Sequence, residues 1–319
     1  MRKDLRCFVY LAFFAGLCVG CATVSPVSGD RERAVQFDSI GGVDPVWQSF
    51  ASGIGYFAGK TAEPVLEFWA LKVDLAHPSV RFVVGTGKPG EKDAGFTPEV
   101  NRGFGTTITG FARANDCIAA LNTSPFSPVS ARVGEARQIM GIAVSDGAAI
   151  ASPLPPYDGL VIYADGDAAF LNQARLESPG RTIQYAAGGF FIVLEDGEIT
   201  VRAASGTVRH PRSAAGLSED GKTLYLLVAD GRRLGSAGVT EGELGLLMRH
   251  LGSWNALNFD GGGSTALAMR YPDGTIRPVN IPIHKQIPGL ERAVAVCLGI
   301  RAVDFAPQYS RSYSARASR

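Results

Sequence analysis

The stretch Ala256-Leu257-Asn258-Phe259-Asp260-Gly261-Gly262-Gly263-Ser264-Thr265-Ala266-Leu267-Ala268-Met269 reads as a buried strand that meets a polar point, turns on three glycines and resumes as a second apolar strand. Three consecutive glycines between apolar strands are entropically unfavourable, and they make sense where the backbone takes positive φ or approaches a ligand closely. A plain hairpin needs fewer glycines and does not set Asn258 and Asp260 at its rim. The amides of Gly261, Gly262 and Gly263, with Ser264 behind them, suit an anion-binding nest for phosphate or a polarised sugar oxygen.

Upstream of this loop, Thr240 and Glu243 have capping-box spacing, and Leu244, Leu247, Met248 and Leu251 recur at helical period before Gly252, which predicts a helix. A helix is also expected over Thr106 to Ala114. Runs such as Leu66 to Asp74, Val80 to Val84, Leu224 to Ala229 and Ala293 to Ile300 are rich in strand formers. Asp-Gly pairs at 146–147, 165–166, 196–197, 220–221 and 273–274 each lie between apolar runs and predict hairpin turns. Antiparallel sheet follows, rather than a doubly wound parallel fold. The expected class is α+β, with β-rich twisted mixed sheets, many hairpins and a few flanking helices.

With 319 residues, 46% hydrophobic and 19% charged, the chain can bury one sizeable core. A formal net charge of +1 gives no global field for nucleic acid, so an anionic ligand must be met locally. At the N-terminus, Met1-Arg2-Lys3 and Arg6 precede an apolar run from Phe8 to Leu17, then Cys18-Val19-Gly20-Cys21. This reads as a lipoprotein signal over residues 1–20, with Cys21 lipidated and the protein held at the cell envelope, on the outer membrane or the periplasmic face. A tether over 21–45, a domain over 46–303 and a disordered tail over 304–319 complete the expected organisation. Cys117 and Cys297, each inside an apolar run, are read as two separate buried thiols in preference to a disulfide, which an oxidising compartment would allow.

A second constellation is His210-Pro211-Arg212-Ser213, followed by a strand delivering Asp230-Gly231-Arg232-Arg233. Arginines at strand ends make phosphate clamps, because the guanidinium fork binds oxygens bidentately and stays charged. The same residues are equally compatible with an ordinary surface turn, and His210 with a surface histidine. In isolation Asn122, Asn280 and Arg292 are ordinary polar residues.

Taken in order, His210 to Ser213, Gly216, Asp220-Gly221, Asp230-Gly231-Arg232, the Thr240 to Leu251 helix, Asn258 to Ser264, Asn280-Ile281-Pro282 and Glu291-Arg292 resemble the phosphodiester glycosidase family, across about Ala119 to Ile300. The resemblance implies hydrolysis of the glycosyl–phosphate bond of a sugar-1-phosphodiester or phosphoglycan; no cofactor and no metal are expected, since the sequence offers few ligand sets. It implies Asp260 as base or nucleophile, Asp230 as second carboxylate, either orienting an arginine or sharing acid–base duty, and His210 as a donor to phosphate. Arg212, Arg232 and Arg292 would hold the phosphodiester. Asn258, Ser264, Asn280 and Asn122, with Gly261 to Gly263, would contact substrate. Gly188-Gly189 before Phe190-Phe191 matches the family's mid-domain pair, whereas Asn122-Thr123-Ser124-Pro125-Phe126 lacks the family's two glycines after Asn122, so sugar specificity or turnover is in question there.

Three other functions compete. Gly262-Gly263-Ser264-Thr265-Ala266 approximates a serine-nucleophile elbow, but a strand rather than a helix follows Ser264, and Asp273 and His284 come too early for triad partners. A metal-dependent phosphodiesterase would use Asp230, Asp260 and His210, with four histidines in the whole chain to draw on. A lipoprotein that binds phosphoglycan or exopolysaccharide without turnover is favoured by the altered Asn122 segment.

Overall fold

All five Asp-Gly pairs close antiparallel hairpins. Asp146-Gly147 joins Ala143–Ser145 to Ala148–Ala151, and Asp196-Gly197 joins Phe191–Glu195 to Glu198–Ile199. In these two, Asp and Gly both take positive φ (48° and 76°, 49° and 78°), the conformation whose twist matches the flanking strands. The other three turns, at Gly166, Gly221 and Gly274, use positive φ at glycine only. This computed structural model describes residues 35–37, 40, 45–88, 100–130, 132–176, 180–303 and 305.

A nine-stranded sheet forms the centre. Its order is Val35–Phe37, Ile54–Thr61, Leu66–Asp74, Thr223–Ala229, Arg212–Leu217, Asn255–Asn258, Phe191–Glu195 and Glu198–Ile199, with Gln48–Ala51 also on Ile54–Thr61. Val35–Phe37 pairs parallel and lies within the stretch expected as a tether. The expected leader, Cys21 and, apart from Phe305, the tail lie outside the described residues.

A five-stranded sheet runs Ile276–Pro278, Leu267–Arg270, Ala119–Asn122, Cys297–Ala302, Val80–Gly85. Another runs Ala148–Ala151, Ala143–Ser145, Ile183–Gly188, Asp158–Tyr163, Ala168–Asn172. A small three-stranded sheet contains Arg102–Phe104, Ala136–Ile139 and Phe126–Ser127.

Period-two alternation places one face of the central sheet on each of two cores. Leu224, Leu226 and Val228 join Leu71, Leu257, Leu121, Leu267 and Leu298 between the central sheet and the first five-stranded sheet. Tyr225, Leu227 and Ala229 face the other way, with Phe68, Ala214 and Ala256, onto Leu244, Leu247 and Met248. A strand buried on both faces must be apolar throughout, which is why Leu224 to Ala229 shows no polar alternation.

Among the described residues the α-helices are α1 (Ile108–Ala114), α2 (Val201–Ala204) and α3 (Glu241–His250). The architecture is therefore mostly β, with less helix than an α+β label suggests. The Thr240 capping box is complete: the Glu243 amide donates to Thr240 Oγ1 at 3.1 Å and the Thr240 amide to Glu243 Oε2 at 2.9 Å. None of the described helices is long and apolar enough to cross a membrane. Cys117 and Cys297 are both buried free thiols.

Candidate active site

Asp260 sits where strands of two sheets end together, Asn255–Asn258 from the central sheet and Ala119–Asn122 from its neighbour. Asn122 ties this junction. Its Nδ2 donates to the Asp260 carbonyl, and its Oδ1 accepts from Ser213 Oγ at 2.7 Å and the Ala266 amide at 3.3 Å. The Asp260 amide donates to Thr123 O at 2.8 Å. Asn122 and Thr123 therefore fix the Asp260 backbone. The side chain of Asn122, expected at the substrate, is used inside the protein.

The glycines permit close approach rather than forming an open nest. Gly262 has φ +62° and its amide donates to Pro211 O at 2.7 Å; the Gly261 amide donates to Asp260 Oδ1 at 3.0 Å. The Ser264 and Thr265 amides turn to Gly261 O and Gly262 O. The Gly261 and Gly262 N–H groups thus already have protein acceptors, which corrects the expectation of an anion cradle for those two amides. A Cβ on Gly263 would stand 2.6 Å from Arg292 Nη2, far inside van der Waals contact.

That clearance admits a hydrogen-bonded chain. Ser264 Oγ donates to Asp260 Oδ2 and accepts from Arg292 Nη1 at 3.0 Å, while Arg292 Nε donates to His284 Nδ1 at 3.1 Å. A hydroxyl has one hydrogen, so Ser264, in accepting from Arg292, directs it at the carboxylate. Burial pushes the Asp260 carboxyl up to about 6, against the opposing pull of Ser264, Arg292 and the Gly261 amide. Near neutral pH it is mostly ionised yet basic for a carboxylate, the range in which a catalytic base works.

Arg232 completes the rim. Exposed and held at φ +59°, it brings its Nη2 to 3.1 Å from His210 Nδ1 and its guanidinium nitrogens to 3.1–3.2 Å from where a Gly262 side chain would begin. A non-glycine residue in this region is uncommon and clusters at functional sites. Burial, then Arg232 and Arg212, lower the His210 pKa. A neutral ring accepting at Nδ1 carries its proton on Nε2.

Other expected contacts are internal. Arg212 is buried, its Nε donating to Val239 O at 2.9 Å and its Nη2 paired with Glu241 Oε1 at 2.7 Å, so it braces the start of α3 and is not a free phosphate clamp. Asp230, 1% exposed, accepts at Oδ1 from Asn280 Nδ2 (2.9 Å) and at Oδ2 from Arg233 Nη2 (2.8 Å) and the Ile281 amide (3.0 Å). Glu67 also pairs with Arg233. Burial opposes ionisation of Asp230, but these donors and the guanidinium match a carboxylate. Of the two roles expected for Asp230, the geometry favours orienting an arginine, Arg233, and holding the Asn280 loop over acid–base duty. Asn280 also accepts from Leu267 N and donates to Thr265 O, so both of its Nδ2 hydrogens are used inside the protein.

Asn258 is different. It is 1% exposed and its Oδ1 has no hydrogen-bond partner among the described residues; it lies beside the Gly188-Gly189 pair, where a Gly189 Cβ would stand 2.9 Å from Asn258 O. Asp230, Asp260 and His210 do not gather as a ligand set; among the described residues no three of His, Cys, Asp and Glu do. His284, Glu241 and Glu67 stand in no motif of the sequence, yet their side chains meet Arg292, Arg212 and Arg233. His284 lies eight residues before Arg292 in an irregular loop, where no periodicity reports which side chains meet.

The phosphodiester glycosidase family model matches residues 115–301, more than half of the chain and all of the site just described except Glu67. The chain belongs to the phosphodiester glycosidase family. It is 28% identical over 219 residues to the SPbeta prophage-derived uncharacterized protein YomE of Bacillus subtilis (strain 168), a match covering 63% of this chain and 31% of that one, so the chain spans about a third of that relative's length. Its fold is similar to the zebrafish N-acetylglucosamine-1-phosphodiester α-N-acetylglucosaminidase catalytic domain, solved auto-inhibited by its pro-peptide: TM-score 0.57, 19% identity, covering 82% of this chain and 89% of that one. A hypothetical protein from Synechocystis (TM-score 0.54, 14% identity, 81% and 64% covered) and a putative exported protein from Burkholderia pseudomallei K96243 (0.51, 15%, 74% and 74%) share the fold. In this member of the family, Asp260, Ser264 and Arg292 belong to one connected site, with Arg232 and His210 on its rim.

Proposed function

We propose that this protein hydrolyses the glycosyl–phosphate bond of a sugar-1-phosphodiester, releasing free sugar and a phosphomonoester. Family membership supports a hydrolase of this kind. The observation that carries the residue assignment is the Asp260–Ser264–Arg292 chain, with an elevated carboxyl beside cations. Ordinary glycosidases pair two carboxylates, because a sugar alkoxide leaves only when protonated. Here the leaving group is a phosphomonoester, already a weak base, so cations suffice, and one carboxylate at Asp260 is enough.

In this reading Asp260 attacks the anomeric carbon or activates water toward it. Arg292 and Arg232 stabilise charge on the departing phosphate, a contribution often among the largest in catalysis. Neutral His210, with Nε2–H, donates a hydrogen bond to a phosphate oxygen. The unpartnered Asn258 Oδ1 accepts from a sugar hydroxyl or amide once substrate is bound. Asn122, Asn280, Asp230 and Arg212 act through the backbone they hold. Export as a lipoprotein anchored through Cys21 remains part of the proposal, and labelling with a fatty acid that a Cys21→Ala variant fails to take up tests it.

Turnover is tested with the chain lacking its leader on a panel of sugar-1-phosphodiesters, beside Asp260→Asn and with a chelator. Sugar release that Asp260→Asn abolishes and the chelator leaves intact supports the reading. Loss with the chelator would instead favour a metal-dependent phosphodiesterase. No release across the panel from a folded domain would favour phosphoglycan binding without hydrolysis, with the Thr123-Ser124 segment as its cause.

A further inference from the structure

His284 is 3% exposed, and neither the sequence motifs nor the roles above use it. Its ring has one hydrogen bond among the described residues, Nδ1 accepting from Arg292 Nε at 3.1 Å, because Nε2 is buried without a partner. The chain bends sharply to deliver it. Lys285 and Gln286 both take positive φ, 53° and 62°, and the His284 amide donates to Leu290 O at 3.0 Å, folding the loop back so that the imidazole lies under Arg292. Two consecutive non-glycine residues in the left-handed region persist only where surrounding structure imposes them. On the other side, the His284 Cα is 3.2 Å from where a Gly263 side chain would begin, so the guanidinium, the glycine loop and this histidine are fitted to one another.

We propose that His284 is a positioning residue whose neutral imidazole, accepting at Nδ1, holds the Arg292 guanidinium on Ser264 and so keeps that cation beside the Asp260 carboxylate. The inference rests on Asp260 and Arg292 being the reacting centre. Arginine has donors only, so orienting it requires acceptors on more than one edge. Ser264 Oγ accepts from Nη1 and His284 Nδ1 from Nε, which together fix the guanidinium plane. Protonation of His284 removes the Nδ1 lone pair and sets a second cation against Arg292; both effects release the guanidinium. The charged groups facing the ring are Arg292 and Lys285, and with burial, the largest effect, they lower its pKa. The holding form is therefore the resident one at neutral pH, and acid releases Arg292.

The test uses His284→Asn, whose Oδ1 accepts where Nδ1 did and does not titrate, and His284→Leu, which fills the space without accepting. Both are checked for native near-ultraviolet circular dichroism. At pH 8 the Asn variant is expected to keep kcat/KM within about three-fold of the parent, and the Leu variant to fall by more than about ten-fold, mainly in kcat. The acid limb of the parent's pH profile, two ionisations from His284 and Asp260, reduces to one in the Asn variant.

A readout independent of turnover is nitrogen NMR of the His284 ring and of the Arg292 Nε–H. Expected are the Nε2–H tautomer, a midpoint below 6.5, and a slowly exchanging Arg292 Nε–H that survives in Asn and vanishes in Leu. An Nδ1–H tautomer, a midpoint above 6.5, or equal activity of Asn and Leu variants overturns the inference. If the parent turns over no sugar phosphodiester, the functional reading fails, while the NMR result still decides whether His284 holds Arg292.

Discussion

Replacing Asp260 with Asn is expected to stabilise the fold only where the native carboxylate is ionised. In the unfolded chain this carboxyl titrates near 3.8, and in the native state burial raises it to about 6. Between those values the folded protein binds the extra proton, so native stability falls as pH rises through the window and the full penalty is present above it. A shift of that size corresponds to about 3 kcal/mol, and the partial exposure of Asp260 reduces it to about 2 kcal/mol through solvent screening. Asn does not titrate. Its amide also meets the Gly261 N–H, which adds an unfavourable offset that does not change with pH. The quantity to measure is therefore the difference in unfolding free energy, variant minus native, from urea titrations at pH 3.5 and pH 7.5. It should rise by about 2 kcal/mol between them. A difference that is constant to within about 0.5 kcal/mol, or that moves the other way, would refute the view of Asp260 as a base raised by burial.

Arg292→Lys keeps the charge but not the two-edged hold on Ser264 and His284; kcat/KM should fall by about 10²-fold with little change in melting temperature, as steady-state kinetics and thermal melts will show. Asp230→Asn leaves Arg233 with a poorer partner in a buried ion pair, so a loss of about 3 kcal/mol in unfolding free energy is expected, with folded enzyme retaining its kcat. Removing Asn122 as Ala orphans the Asp260 carbonyl, Ser213 Oγ and the Ala266 amide; about 2–4 kcal/mol should be lost and kcat should drop as well, because the carbonyl it releases belongs to the catalytic residue.

Much of the architecture was legible because it is written in local chemistry. Each Asp-Gly pair marked a hairpin, since glycine, and in two cases aspartate, takes the positive φ that such turns need. The helix from Glu241 was announced by Thr240 and Glu243, whose capping contacts span only three residues. The Asp260 loop stood out because three glycines have no place between apolar strands without a close approach. Which approach it was could not be read. The loop looked like a bare-amide nest, but the Gly262 N–H turns to Pro211 O and the Gly261 N–H to the Asp260 carboxylate, and the room beside Gly263 is taken by Arg292.

The partners of polar side chains were the least legible part. Arg212 resembled a clamp until Glu241, which the fold brings next to it, claimed its guanidinium. Asp230 was read with Arg232, yet it is Arg233, one residue on, that turns inward, because Arg232 takes the left-handed conformation and points to the rim. Asn122 and Asp260 are 138 residues apart and meet only because two different sheets end at the same place. Periodicity and spacing report which face a residue occupies, not which distant side chain will satisfy it.

The most direct test of the central claim is which bond breaks. Hydrolysis of an α-N-acetylglucosaminyl-1-phosphodiester, or of whichever sugar phosphodiester the panel identifies, is run in ¹⁸O-water, and both products are weighed by mass spectrometry. Attack at the anomeric carbon, with Asp260 as the carboxylate and phosphate as the leaving group, predicts ¹⁸O in the released sugar and none in the phosphomonoester. Label in the phosphate would mean that phosphorus is attacked, and would contradict the account of this site as a glycosidase.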